Sequence, residues 1–164
     1  MLRLFLSLFL VFAAACGKSG SDLPIADYHE AVQPLMYENR QLADSFTDLA
    51  GRIHLEQVTG DEVAGEFESK LIPLAVRLQN GAKRIKLRDG PLARVHAGLI
   101  EAWELRATSY SEMLAAYQAS DTSIFEKALK GNSTSKQKEE LYFGLANKYF
   151  ATENLRLFQF PETN

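Results

Sequence analysis

The chain has very few of the residues that cross-link proteins or bind metals. Cys16 is the only cysteine among 164 residues, so no intramolecular disulfide can stabilise the fold. The three histidines, His29, His54 and His96, lie far apart in the sequence. None of them belongs to a zincin motif or a Glu-x-x-His pair. We therefore expect no bound metal, and a fold that depends on the burial of apolar side chains.

The sequence also lacks the local motifs of common cofactors and catalytic groups. It contains no glycine-rich phosphate loop and no Cys-x-x-Cys-His haem motif. No local grouping of serine, histidine and aspartate indicates a nucleophile. The 18 Lys and Arg residues are outnumbered by 21 Asp and Glu residues, which excludes a strongly basic nucleic-acid surface. These absences predict a protein without a cofactor, without enzymatic activity and without a nucleic acid partner.

An apolar run occupies residues 4–12, close to the start of the chain. It is too short to span a bilayer, which requires about 20 apolar residues. Arg3 precedes the run, and the small residues Ala13, Ala14 and Ala15 follow it. A positive start, a short apolar core and a small-residue end are typical of a secretory signal peptide.

The segment Ala13-Ala14-Ala15-Cys16 resembles the lipobox of bacterial lipoproteins, although Ala13 stands where that family prefers leucine. The resemblance covers only the first sixteen residues. It implies that residues 1–15 are a lipoprotein signal peptide and that Cys16 becomes an acylated N-terminus carrying fatty acids such as palmitate. Because Gly17 follows Cys16 instead of aspartate, the resemblance implies an outer-membrane location facing the periplasm. In a host with one membrane, it implies the outer face of the cytoplasmic membrane.

The same residues leave an alternative open. Ala13-Ala14-Ala15 also fits an Ala-x-Ala cleavage site, and cleavage there by the ordinary secretory peptidase would release a protein with a free thiol. In either case Arg3 is lost, so 17 cations remain against 21 acids and the side-chain net charge is about −4. Residues 16–24 then form a flexible tether of small and polar residues that reaches less than ~30 Å.

Residues 25–160 show the three- and four-residue spacing of apolar side chains that is typical of helices. The spacing predicts four helices, separated by turns near residues 59, 88 and 121. Because the connections are short, we expect an all-α domain that folds as an antiparallel up-down four-helix bundle. Pro34 and Pro73 predict kinks in the first and second helices. Glycine and polar residues at 131–134 leave two alternatives open, a break in the fourth helix or a continuous helix, and the helix otherwise continues through Leu157.

Three polar residues lie on the predicted apolar faces: Asn39, His96 and Asn147. If the helices are antiparallel neighbours, these residues fall within about a turn of one layer. The layer has two interpretations. It is either a set of hydrogen-bonded side chains that fixes the register of the helices, or a small polar pocket that binds a ligand between helices.

Arg106 also lies on an apolar face, near Asp48 and Glu139 in the same arrangement. A buried guanidinium requires a carboxylate partner, because an unpaired buried charge is costly. We therefore predict a buried ion pair among these residues.

Four cations lie near the turn between the second and third predicted helices. They are Lys83, Arg84, Lys86 and Arg88. Cations at this position match the dipole of the preceding helix and keep the turn solvated. They also suit contact with anionic lipid head groups or with a cell-wall polymer. In an up-down bundle this turn and the N-terminus lie at the same end, so the turn would face the membrane.

Phe158 and Phe160 lie beyond the last periodic residue. They predict either a cap that folds back onto the bundle or an exposed interaction patch.

The sequence as a whole predicts a non-enzymatic, membrane-anchored lipoprotein. Its helical domain would act as a binding or scaffolding module for a protein or polymer of the cell envelope. The alternative is a small-ligand sensor or carrier that uses Asn39, His96 and Asn147.

Overall fold

The computed structural model describes residues 23–88 and 90–157. These residues form four helices and no strand: α1 (Ile25–His54), α2 (60–84), α3 (Pro91–Gln118) and α4 (Thr122–Phe150). A 3₁₀ turn, Ala151–Glu153, follows α4. The prediction of an all-helical domain with four helices is confirmed for this part of the chain. The predicted signal peptide, Cys16, Phe158 and Phe160 lie outside the described residues.

Helix α1 buries one face and runs without interruption across Pro34. The amide of Tyr28 donates to the carbonyl of Pro24 at 2.9 Å and closes the first turn. The helix ends at His54, several residues before the predicted turn at residue 59. Glu56, just beyond the end, has a φ of 55°, and this left-handed conformation cannot continue a helix.

Helix α2 consists of Gly60–Glu66, a π-helical turn Phe67–Leu71, and Ile72–Arg84. Thr59 and Glu62 form a capping box at its start: the Thr59 amide donates to the Glu62 carboxylate at 2.7 Å. The π turn lies directly before Pro73, where the sequence predicted a kink. A proline has no amide hydrogen and its ring presses on the carbonyl four residues earlier, so the wider turn lies at the position where regular hydrogen bonding is interrupted.

Helix α4 is continuous from Thr122 to Phe150, so of the two alternatives for residues 131–134 the structure has the continuous helix. The helix is capped by Asp121, whose carboxylate accepts from the amide of Ile124 at 3.0 Å. Gly131 lies against α3: a Cβ atom at this position would be 2.5 Å from Ser109 Oγ. The glycine therefore permits a close approach of two helices, and this packing outweighs its poor helix propensity.

The fourth helix also ends earlier than the predicted Leu157. After Phe150 the chain turns at Asn154, which has a φ of 56°, and brings Leu157 back into the core. Phe150 itself stacks on Tyr28 with 5.7 Å between ring centroids. The chain thus returns to the start of α1.

The core between the helices is rich in aromatic residues. Its largest fully buried side chains include Trp103, Tyr28, Tyr110, Tyr142 and Phe150. Residues 23–88 and 90–157 contain no helix that is both long enough and apolar enough to cross a membrane.

Candidate functional site

The first buried polar group is a cluster of Arg106, Glu139 and Asn39, referred to below as the Arg106 cluster. Arg106 donates one Nη to the Glu139 carboxylate and the other to the Asn39 side-chain oxygen. The Asn39 amide nitrogen donates to the second oxygen of Glu139. This oxygen also has a long contact of 3.4 Å with the indole nitrogen of Trp103. The three side chains therefore close a ring of hydrogen bonds that joins α1, α3 and α4.

Because this ring of hydrogen bonds is buried, breaking it would cost much of the free energy of folding. Arg106 and Glu139 are each only 5% exposed, so the two opposite charges must compensate each other away from water. Removal of either partner would leave the other as an uncompensated buried charge. The predicted ion pair between Arg106 and Glu139 is present.

The predicted participation of Asp48 in that ion pair is wrong. Asp48 lies on the exposed side of α1 and pairs with Arg52, one helical turn away, at 2.9 Å. Asn39 takes its place beside Arg106, because the face of α1 that points inward carries Asn39. A neutral amide suffices there, since Glu139 already balances the guanidinium charge.

The second buried polar group is a line of hydrogen bonds around His96, referred to below as the His96 chain. His96 Nδ1 lies 2.9 Å from the Tyr28 hydroxyl, and His96 Nε2 lies 3.0 Å from the carbonyl of Ala82. The Tyr28 hydroxyl also lies 2.8 Å from that of Tyr142. The His96 chain thereby connects all four helices.

The partners of His96 determine its tautomer. The Ala82 carbonyl can only accept, so Nε2 carries the hydrogen and donates to it. Nδ1 is then an acceptor and takes the hydrogen of the Tyr28 hydroxyl. The Tyr28 oxygen in turn accepts from Tyr142. Every hydrogen bond in the line is satisfied with His96 neutral.

Burial favours the neutral form of each member. It lowers the pKa of His96, and the hydrogen bond to the Ala82 carbonyl opposes this only in part. Burial also raises the pKa of Tyr28 and, together with neighbouring Tyr28 and Glu139, that of Tyr142. Glu139 and Tyr142 are three residues apart on α4, so the Arg106 cluster and the His96 chain are about one helical turn apart there.

The structure does not bring Asn39, His96 and Asn147 into one hydrogen-bonded layer as predicted. Asn39 bonds to Arg106 and Glu139, whereas His96 bonds to Tyr28 and Ala82. The side-chain oxygen of Asn147 accepts from the amide of Leu157 at 3.0 Å and holds the returning chain. The polar groups of these three residues are therefore used within the protein, which favours the structural interpretation over a ligand pocket.

Three aromatic members of the two groups were not predicted from the sequence: Tyr28, Trp103 and Tyr142. All three occupy apolar positions of a helix, where an aromatic ring is expected to be part of the core. Their hydroxyl and indole groups were the available signal, because a buried tyrosine or tryptophan usually requires a polar partner.

Residues 23–88 and 90–157 contain no group of three or more His, Cys, Asp or Glu side chains that could hold a metal ion. His96, the buried histidine, is enclosed by hydroxyl groups and a backbone carbonyl. The arrangement fits a role in holding the helices together.

Two ends of the helical domain differ in their surfaces. Tyr28, Ala82, His96 and Phe150 meet at one end, referred to below as the near end because the described chain begins there. The loops at residues 55–59 and 119–121 form the other, the far end, where the backbone of Gly60 approaches the Tyr117 hydroxyl. The far end exposes four large apolar side chains: Ile53, Leu55, Tyr117 and Ile124.

Comparison of this chain with protein-family models, with curated proteins and with solved structures found no match.

Proposed function

We propose that this protein is a bacterial lipoprotein whose helical domain is a non-enzymatic binding or scaffolding module of the cell envelope. The observation that carries the proposal is the N-terminal sequence. Arg3, the apolar residues 4–12 and the segment Ala13-Ala14-Ala15-Cys16 follow one another in the order of a lipoprotein signal. Lipid on Cys16 would hold the domain at a membrane, and Gly17 favours the outer membrane of a two-membrane host.

The proposed arrangement of the domain is an antiparallel up-down four-helix bundle. Side-chain pairs between α1 and α2 support it, because Arg52 pairs with Glu66 and Glu38 with Arg77, so that sequence numbers rise on one helix as they fall on the other. Contacts between α3 and α4 follow the same trend: Ser109 meets Gly131, and Lys138 pairs with Glu101.

The proposed partner-binding surface is the far end. Leu55 and Ile124 are 63% and 48% exposed there, and the acidic residues Glu56, Asp121 and Glu126 lie close to them in the sequence. Isolated apolar side chains are common on protein surfaces, but several at one end can form the centre of an interface with a polar rim. A short tether would point this end away from the membrane, toward an envelope protein or polymer.

The lipid anchor is tested by metabolic labelling with a fatty-acid probe. We expect the wild-type chain to be labelled and to fractionate with membranes, and Cys16→Ala to lose the label. Equal labelling of the two chains would refute the anchor. A soluble wild-type protein whose N-terminal cysteine reacts with a thiol reagent would instead support cleavage by the ordinary secretory peptidase.

The partner surface is tested by cross-linking in intact cells. We expect Leu55→Glu with Ile124→Glu to remove the cross-linked neighbours of the wild-type chain. Leu141→Glu with Leu129→Glu is the matched control, since these α4 side chains are 63% and 45% exposed and do not belong to the defined far-end set. Equal loss in both double variants, or no loss in either, would contradict the proposed surface.

A further inference from the structure

Exposed cations are concentrated at the near end of the domain. Four segments meet there: the start of α1, the end of α2 with its following turn, the start of α3, and the end of α4 with the returning chain. The contacts that join them are His96 with Tyr28 and Ala82, and the His29 ring, which donates to the carbonyl of Arg156 at 2.8 Å. The described cations of these segments are Lys83, Arg84, Lys86, Arg88, Arg94, Lys148 and Arg156.

The charge at the near end is the opposite of that at the far end. The seven cations share their segments with three described acids, Asp27, Glu30 and Glu153. Residues 44–70 and 112–130, which contain the far end, carry ten acids and four cations. The domain is therefore electrically polarised along its length, although its net charge is negative.

Most of the near-end cations form no ion pair with a carboxylate in the part of the chain that the structure describes. Lys83 pairs with Glu104 at 3.1 Å, so it is used within the domain. The Lys86 ammonium donates to the carbonyl of Lys83 at 2.9 Å, which leaves its charge uncompensated. Arg84 and Arg88 are exposed and form no ion pair with a carboxylate of residues 23–88 or 90–157. The sequence of this turn has four cations and one acid, Asp89, so the turn has a net positive charge that can attract an external anion.

We infer that the near end contacts anionic lipid head groups of the membrane that holds Cys16, an inference that rests on the proposed lipid anchor. The described chain begins at this end, and the residues between Cys16 and Ile25 extend less than ~30 Å. The 30-residue helix α1 is about 45 Å long, so the near end is the part of the domain that the tether keeps at the lipid surface. Each Lys or Arg near an anionic surface strengthens binding roughly fivefold.

The test measures partition of the full chain with Cys16→Ala between buffer and vesicles, so that acylation plays no part. Vesicles of phosphatidylcholine alone are compared with vesicles of phosphatidylcholine mixed with phosphatidylglycerol. The test variant adds Arg84→Gln, Lys86→Gln and Arg88→Gln. The control variant adds Lys127→Gln, Lys130→Gln and Lys136→Gln, which removes the same charge from exposed positions of α4. The apolar residues 4–12 contribute equally in all three proteins.

We expect the preference for anionic vesicles to fall about 100-fold in the test variant and to change little in the control variant. We also expect the preference of the parent chain to weaken steeply with added salt, a measurement that needs no variant. Equal losses in both variants, or a salt-independent preference, would overturn the inference. A soluble anionic polysaccharide serves as the competing ligand. If the chain binds it more strongly than it binds vesicles, and this binding depends on Arg84, Lys86 and Arg88, the lipid assignment is overturned. Fatty-acid labelling of Cys16 without vesicle selectivity would refute this inference alone, whereas selectivity without labelling would refute the anchor.

Discussion

The Arg106 cluster and the His96 chain both bury polar side chains in the core, but they differ in whether those side chains are charged. The Arg106 cluster buries two opposite charges and balances them within a closed ring of hydrogen bonds. The His96 chain buries groups that can become charged but holds them neutral, in a line that ends on a backbone carbonyl. Both groups join helices that are distant in sequence.

This difference determines how much stability is lost when a member of either group is substituted. Loss of Arg106 or Glu139 leaves the other as an uncompensated buried charge, which is among the most destabilising changes in a protein interior. Loss of one member of the His96 chain leaves a buried hydroxyl or ring nitrogen without a partner, which costs less. The Arg106 cluster should therefore be the more sensitive to substitution, and the His96 chain the more sensitive to pH.

The largest loss of stability is expected for Glu139→Leu, which leaves the Arg106 guanidinium buried without a carboxylate partner. We expect the free energy of unfolding to fall by about 3–5 kcal/mol, measured by urea denaturation of the full chain. The double variant Arg106→Met with Glu139→Leu should recover part of this loss, because it removes both charges. A double variant less stable than Glu139→Leu would show that burial of the isolated charge is not the main cost.

A smaller effect is expected for Tyr28→Phe, which removes the hydroxyl between His96 and Tyr142. It leaves two buried groups without their partner, so we expect a loss of about 2–4 kcal/mol. Tyr142→Phe is the matched control: it removes only the outer donor and should cost about 1 kcal/mol. Equal losses in thermal or urea unfolding would contradict the order of donors proposed for the His96 chain.

The pH dependence separates the two groups further. Because burial lowers the pKa of His96 from its ordinary 6.5, the unfolded chain binds a proton at this residue more readily than the folded chain. The stability contributed by neutral His96 is thus fully present above about pH 6.5 and is lost as the pH falls through the lowered folded-state pKa. The slope approaches at most about 1.4 kcal/mol per pH unit. Unfolding free energies from neutral pH to about pH 5 should show this slope in the wild type but not in His96→Gln, and identical profiles would refute it.

The smallest effect is expected for Asp48→Asn. The carboxylate of Asp48 is exposed and pairs only with Arg52 on the same helix, and such surface pairs contribute little. We expect the free energy of unfolding to change by less than ~0.5 kcal/mol. A loss comparable to that of Glu139→Leu would mean that Asp48 does take part in balancing Arg106.

The predicted partners of Arg106 show what residue spacing along a helix can and cannot predict. Asp48 and Asn39 are nine residues, about two and a half turns, apart on α1, so they lie on opposite faces of the helix. The predicted apolar face carried Asn39, but counting residues from the turns put Asp48 at the level of Arg106. Which residue of α1 lies at that level depends on how the packed helices are shifted along their axes, which is set by the packing of all their side chains.

Gly131 illustrates a second limit. Within residues 131–134, glycine, asparagine, serine and threonine indicate a break by their local propensities. The same glycine allows α3 to approach so closely that Ser109 fills the space of a side chain, and nearby Ser135 donates to the carbonyl of Ala102 at 2.6 Å. These contacts come from residues more than twenty positions away, so local sequence could not reveal them.

The sequence by itself determined that this chain is helical, that it has four helices and that Arg106 needs a carboxylate partner, because helical periodicity and the cost of a buried charge are local and general. Only the tertiary structure decided that Asn39 completes the Arg106 cluster, that Tyr28 and Tyr142 continue from His96, and that α4 runs through Gly131. These features depend on which faces of distant helices meet. That choice minimises the free energy of the whole core and cannot be assigned to any single segment.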